Sequence, residues 1–264
     1  MKDPEASLLL GAVRAAAPGV RLVRGGGHRN IAVLPAPAQF CPSPWEMVGQ
    51  NPIAGLPPEG PVRTLYDAAA SALANHDVNA VRIDLGENPA NALWIHGGGP
   101  AAVARTGDGA PPGGAILVGR GAAIAGLARV LGWQSSIVDG DDDALAAAAL
   151  AAMSVADLVV VRTESVLAAA SLGGPVAKRD ALSWADARLV APLLAAAEER
   201  DSYVMAVAAD SVLDSSTHAL SRRPVPFVIV GAGSGSGVAV FNEKICESGG
   251  FHIASGAEFA SLLV

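Results

Sequence analysis

The chain has 264 residues, 51% of them hydrophobic and 16% charged, with a formal net charge of −7 and a pI near 5.2. That length and apolar content suit one large or two modest folded domains and exclude a disordered chain. The negative balance disfavours nonspecific nucleic-acid or anionic-membrane binding, and no apolar run reaches the roughly 18 residues needed to span a bilayer, so neither is expected as a partner.

Taken in order, Met1-Lys2-Asp3-Pro4-Glu5 leads into a short apolar run at Leu8-Leu9-Leu10. The acidic, proline-containing flank and the lack of a small-residue cleavage site argue against a signal peptide, and a cytoplasmic location is expected. Cys41 and Cys246 are far apart and lack metal-type spacing, so they read as two reduced thiols. The periodicity predicts a helix over 4–17, closed by Pro18-Gly19, then strands at 20–23 and 31–34 joined through Gly25-Gly26-Gly27-His28-Arg29-Asn30 as a hairpin. Residues 35–61 are rich in Pro and Gly and read as ordered loop. A helix over 63–75 places Leu65, Ala69, Ala72 and Leu73 on one face. These pieces make a smaller α+β domain, assigned to residues 1–91.

Asn88-Pro89 then punctuates the chain as a turn, a short apolar strand is predicted at 92–95, and Gly97-Gly98-Gly99 lets its end turn. Beyond this hinge, strands at 115–118, 135–138, 158–161, 203–208 and 226–230 alternate with helices at 122–131, 143–153 and 180–199. Such alternation predicts an α/β domain over 92–264, a mainly parallel sheet sandwiched by helices. The unbroken run Leu158-Val159-Val160-Val161 reads as a strand buried on both faces.

Several segments carry a resemblance. Pro89-Ala90-Asn91, then Leu93-Trp94 and the glycine turn, resembles the Pro-Ala-Asn-x-Ile-Trp-x-Trp-Gly-x-Gly segment of archaeal-type cofactor-independent phosphoglycerate mutases, with His96 at the second Trp. His76-Asp77-Val78-Asn79 with Arg82 resembles the family's His-Pro-Val-Asn-x-x-Arg. His28-Arg29 before a strand resembles its Tyr-Arg-His. Gly49-Gln50-Asn51-Pro52-Ile53 with Leu56-Pro57 resembles its Pro-rich loop, whose His-Asp has become Trp45-Glu46. Near the end, Pro224-Val225-Pro226 and Phe241-Asn242-Glu243, followed by Gly249-Gly250, Ile253, Gly256 and Glu258, resemble its closing signature.

The resemblance covers residues 20–264 and implies an alkaline-phosphatase-like core, shortened, with a substrate-side smaller domain. It implies interconversion of 2- and 3-phosphoglycerate through a phosphoserine held by two metal ions, which neutralise oxygens as they gain charge. The family's nucleophilic serine and first aspartates belong to an amino-terminal segment outside the matched part. Two ligand motifs are eroded. The family's His-x-Glu-x-x-Asp-Glu-x-x-His falls on residues 162–171, where Glu164 is kept but Arg162, Leu167 and Ser171 replace ligands. Its Gly-Asp-His falls on Ala209-Asp210-Ser211, and a later His falls on Leu220, with His218 two residues away. Leucine and serine do not replace an imidazole and a carboxylate.

The expectation is therefore a degenerate, non-catalytic relative that binds a small phosphorylated or carboxylated anion or a protein partner, with no cofactor. The alternative is an active metal-dependent phosphotransferase or mutase using manganese, magnesium or zinc. It would be one chain of a split enzyme whose partner supplies the missing segment, or would carry a rebuilt site. The candidate residues are Asp210 for catalysis; His28, Arg29 and Arg82 for substrate; and Asp210 with His218 for a single metal, against the plainer reading of a solvated loop pair. Asp139-Gly140-Asp141-Asp142-Asp143 reads as a helix cap rather than a calcium loop, lacking the downstream Glu. Gly231-Ala232-Gly233-Ser234-Gly235-Ser236-Gly237 is either a phosphate cradle or a plain loop. Asn79, Asn91 and His96 read as structural.

Overall fold

A computed structural model describes residues 2–100, 111–221, 223–231, 240–248 and 252–263. The glycine-rich residues 232–237 and Gly249-Gly250 lie outside the described residues. The chain divides into two compact units, residues 1–102 and 103–264.

In the first unit, helix α1 (Asp3–Ala16) turns Leu9, Leu10 and Val13 inward at helical spacing. Helix α2 (Pro61–Leu73) opens with a proline, whose fixed φ suits a first helical turn, and buries Val62, Leu65, Ala69 and Leu73. These two stripes form one core with Leu22. Leu22 comes from strand β1 (Arg21–Gly26), paired antiparallel with β2 (Arg29–Val33) through a bulge between Arg24 and Gly26. Gly25 permits that bulge: a Cβ there would stand 2.3 Å from the carbonyl oxygen of Arg29.

The strand expected at 92–95 is not formed. Cys41 and His96 make an isolated bridge, with the Cys41 amide on the Ile95 carbonyl at 2.9 Å, while the Trp94 indole donates to Pro42 O at 2.9 Å. Pro42 and Pro44 lack the N–H groups that a longer ladder would need. The loop before α2 holds one 3-10 turn, Pro52–Gly55, capped by Asn51. Helix α3 (Asp77–Asp84) was not foreseen, because it has no apolar stripe: Val81 and Ile83 are exposed and its buried residue is Asn79.

The second unit is built on strand β3 (Ala115–Gly119), buried along its whole length. Strands β4 (Gln134–Ile137) and β5 (Leu158–Arg162) flank it, both parallel to it. Alternation along β3 sends Ile116 and Val118 to one face and Leu117 to the other. Leu117 meets Ile124 and Ala128 of helix α4 (Ala122–Leu131). Ile116 and Val118 meet Leu145, Ala146 and Ala149 of α5 (Asp142–Met153), together with Leu189 and Leu193. The α/β class, a parallel sheet with helices on both faces, is what the alternation predicted, although the segments expected at 203–208 and 226–230 pair antiparallel with each other outside that sheet. The run at 158–161, however, lies at the sheet edge and is half-buried, and β3 takes the central place.

Helix α6 (Ser165–Ala185) starts earlier than the periodicity suggested and is broken at Gly174, which has φ 72° and ψ −163° just before Pro175. A π turn, Asp186–Val190, leads on to α7 (Ala191–Glu198). Strand β6 (Met205–Ala208) pairs antiparallel with β9 (Phe227–Val230), and between them β7 (Val212–Leu213) and β8 (Leu220–Ser221) form a small hairpin. Helices α8 (Glu243–Ser248) and α9 (Gly256–Ser261) follow, and Phe259 of α9 meets Phe227 edge-on at 5.3 Å.

Candidate functional site

Parallel strands end on one edge of their sheet, and the loops leaving that edge gather polar side chains there. Arg120 follows β3, Asp141 and Asp142 open α5, and Thr163, Glu164 and Ser165 follow β5. Asp141 caps α5 by accepting the Ala144 amide at 3.2 Å, which leaves Asp142 to turn inward, 8% exposed. Its carboxylate accepts from Arg120 Nη2 at 2.9 Å, Thr163 Oγ1 at 2.8 Å and Ser165 Oγ at 2.7 Å. Burial alone would push the Asp142 carboxyl up. The bonds from Ser165, Thr163 and Arg120, with the charge of Arg120, outweigh burial and hold it below the ordinary aspartate range. Beside this cluster is a crevice of about 300 Å³ lined by Arg120, Asp141, Asp142, Ser165, Trp184 and Arg188.

A second charged group stands at the same edge. Arg162, the last residue of β5, donates through Nη1 to Glu164 Oε1 and through Nη2 to Asp210 Oδ2, the latter at 3.2 Å. Ser211 Oγ holds the other oxygen of Asp210 at 2.9 Å. Burial opposes the charge on Arg162, but its bonds to Glu164 and Asp210, and their negative charges, raise its pKa above the usual arginine value. Ser171 spends its hydroxyl on the Leu167 carbonyl one helical turn back, at 2.7 Å.

These residues do not suit the metal ions that the resemblance implies. Glu164 and Asp210 share a guanidinium, Leu167 offers no donor, and Ser171 is bonded within its helix. Among the described residues no three His, Cys, Asp or Glu side chains are grouped to hold a metal. His218 lies in the turn between β7 and β8, at a φ of 56°, with its amide on Asp214 O at 2.8 Å. Its Nδ1 is buried without a hydrogen-bond partner among the described residues.

In the first unit the candidate residues fall into two settings. Arg82 is 11% exposed and held on three sides: Nη1 lies 3.0 Å from Glu5 and 2.8 Å from Glu87, and Nε donates to Asn88 O at 2.8 Å. Asn79 is likewise structural, its amide donating at 2.8 Å to the carbonyls of Leu73 and Ala90 and its oxygen accepting the Ala90 amide at 2.9 Å. His76 caps the same helix, Nδ1 accepting from the Val78 amide at 3.2 Å. His28 and Arg29 instead stand exposed at the β1–β2 hairpin tip. That tip holds a carboxylate of its own chain: Asp3 accepts from the Gly27 amide at 2.6 Å and pairs with Arg24 at 3.1 Å.

Comparison with known proteins places these features beside one family. The chain is 28% identical over 267 residues to the 2,3-bisphosphoglycerate-independent phosphoglycerate mutase of Methanothrix thermoacetophila, covering 94% of this chain and 66% of that protein. The chain is similar to these mutases. With the protein of the same name from Methanosarcina acetivorans it shares 29% identity over 262 residues, again 66% of that protein. The chain thus spans about two thirds of the length of the relatives it matches. No family model matches it. Among solved structures, the PH0037 protein of Pyrococcus horikoshii has a TM-score of 0.51 at 22% identity, over 71% of this chain and 51% of that one, a likeness of fold alone.

The sequence reading missed Arg120, Asp142, Thr163 and Ser165. Arg120 had a signal, standing between two glycines directly after an apolar strand, and Asp142 was taken with its neighbours as part of a cap.

Proposed function

We propose that the chain is a phosphoglycerate mutase-like protein that binds a small phosphorylated or carboxylated anion and does not interconvert phosphoglycerates through a metal centre. The observation that carries this reading is Arg162. Its guanidinium takes up the charge of Glu164 and Asp210, the two carboxylates kept from the ligand motifs. A divalent ion would have to displace a bonded cation there without the imidazoles that resembling enzymes use.

The class of ligand follows from the hairpin tip, which already accepts the Asp3 carboxylate through a backbone amide and an arginine. His28 and Arg29 adjoin that position, and a second guanidinium there suits a phosphate or carboxylate by its forked donors. Arg82, saturated by two carboxylates and a carbonyl, has a supporting part instead.

Calorimetric titration with 2- and 3-phosphoglycerate, phosphoenolpyruvate and inorganic phosphate tests the reading. Wild type should bind one of them, and Arg29→Ala about two- to fivefold more weakly, the loss expected for one exposed charge pair. Equal affinity in Arg29→Ala, or no binding at millimolar concentration, would contradict it.

A further inference from the structure

Strand β4 borders the parallel sheet, and among the described residues only its β3 side is paired. Along such a ladder, alternate residues turn their N–H and C=O to opposite sides of the strand. The Val138 amide donates to Gly119 O of β3 at 2.9 Å. Gln134 and Ser136 therefore also bond towards β3, while Ser135 and Ile137 turn both backbone groups outward. Border strands are ordinarily guarded by lysine, proline or a bulge. Gln134-Ser135-Ser136-Ile137 has none of these, and all but Ser136 are exposed. Ile137 is 43% exposed, and Leu127 and Val130 are exposed on α4, the helix that packs over β4. On the other face a crevice of about 240 Å³ opens beside Ser136, Ala148 and Val155. The two ends of the border carry opposite charge. Arg129 is exposed and stands at the start of β4, where the Trp133 amide donates to Ala128 O at 2.8 Å and keeps the turn tight. Asp139, exposed as well, lies just past the other end.

We propose that β4 is a dimerisation edge whose partner is β4 of a second copy of this chain, paired antiparallel about a twofold axis at Ser136. Ser135 then lies opposite Ile137 of the second copy and exchanges both backbone bonds with it. The symmetric pair repeats the exchange, so the outward groups of β4 are satisfied, and Ser136 faces its own copy between them. The antiparallel arrangement lays the Arg129 end of each strand against the Asp139 end of the other. A parallel one would set like charges together. Pairing also covers Ile137, which shares a sheet face with the exposed Leu127 and Val130 of α4. Self-complementarity of this kind is what a closed twofold dimer requires. The opposite border, β5, is half-buried apart from Val160. The dimer is independent of the anion binding proposed above.

The experiment follows the full chain by gel filtration with light scattering and by sedimentation over a range of concentrations. Wild type should run at twice its chain mass of 26.4 kDa, and amide hydrogen exchange at 134–138 should slow as the dimer forms. Ser135→Pro removes an outward N–H and no bond to β3, so self-association should weaken about tenfold or more. Ser136→Lys sets like charges face to face at the axis and leaves the backbone intact. It should be monomeric, and it serves if the proline variant does not fold. Arg129→Glu should weaken the dimer about two- to fivefold, and Arg129→Glu/Asp139→Arg should restore it. Wild type that stays monomeric up to millimolar concentration would overturn the proposal. A dimer whose affinity none of these variants changes would overturn it too, because the contact would then lie on another surface.

Discussion

Asn79 fixes helix α3, which its own sequence barely supports. The helix exposes Val81 and Ile83 and is anchored by one buried amide that bonds Leu73 and Ala90 and by Arg82 between Glu5 and Glu87. Asn79→Ala would leave two carbonyls and one amide without their partner, a loss of about 2–3 kcal/mol measurable by urea unfolding. Asp142 is the counterpart in the second unit. Its carboxyl is held below the ordinary aspartate range, so the unfolded chain binds that proton more readily than the folded one. The stability it contributes is therefore complete above about pH 4, the unfolded value, and is lost as pH falls through the lower folded value. The difference in denaturation midpoint between wild type and Asp142→Asn should be largest near neutrality and shrink in acid. A difference independent of pH would contradict this. At the hairpin tip, Asp3 competes for the donors proposed to bind an anion. Asp3→Asn should raise anion affinity in titration, while an Asp3→Asn protein with wild-type affinity would separate the ligand from this tip. The sequence places a helix cap in the run 139–143, and Asp141 fills it, because a carboxylate before a helical stretch has a local partner. Asp142 bonds Thr163 and Ser165, more than twenty residues away, and such a contact leaves no mark on local spacing.

Element boundaries were legible where periodicity was strong. Helix α4 spans the predicted residues, since its glycine flanks and apolar stripe agree. The order of strands was not. Leu158-Val159-Val160-Val161 is β-branched throughout and looks central, yet it forms an edge, because composition records propensity and not the number of neighbours. Strands β7 and β8 are two residues each, too short for alternation to show. Helix α6 hides its break in the same way. Gly174 adopts a combination of φ and ψ reserved for glycine, although a Cβ there would meet open space. Gly174→Ala should therefore destabilise through the backbone alone, by about 1–3 kcal/mol. Gly126, inside α4 and also facing open space, is the opposite case. Gly126→Ala should stabilise by about 0.4–1 kcal/mol, chiefly by restricting the unfolded chain. Chemical denaturation of both variants separates backbone strain from packing.

Across the whole molecule, the resemblance to phosphoglycerate mutases was readable from short motifs in their order, and the similarity to those proteins over 94% of the chain agrees with it. The α/β class was likewise readable from alternation. The charge arrangement at the strand ends was not, because Arg162, Glu164 and Asp210 reveal a shared bond only once the residues that close β5 and follow β5 and β6 meet in space. Among the described residues no helix is long and apolar enough to cross a membrane. The central proposal is that the bonded guanidinium of Arg162, rather than a metal, balances the carboxylates of Glu164 and Asp210. Its most direct test is a coupled enolase assay of 3-phosphoglycerate turnover with manganese(II) added. The account predicts no interconversion above background at any manganese concentration. Manganese-dependent turnover that disappears in Asp210→Ala would contradict it.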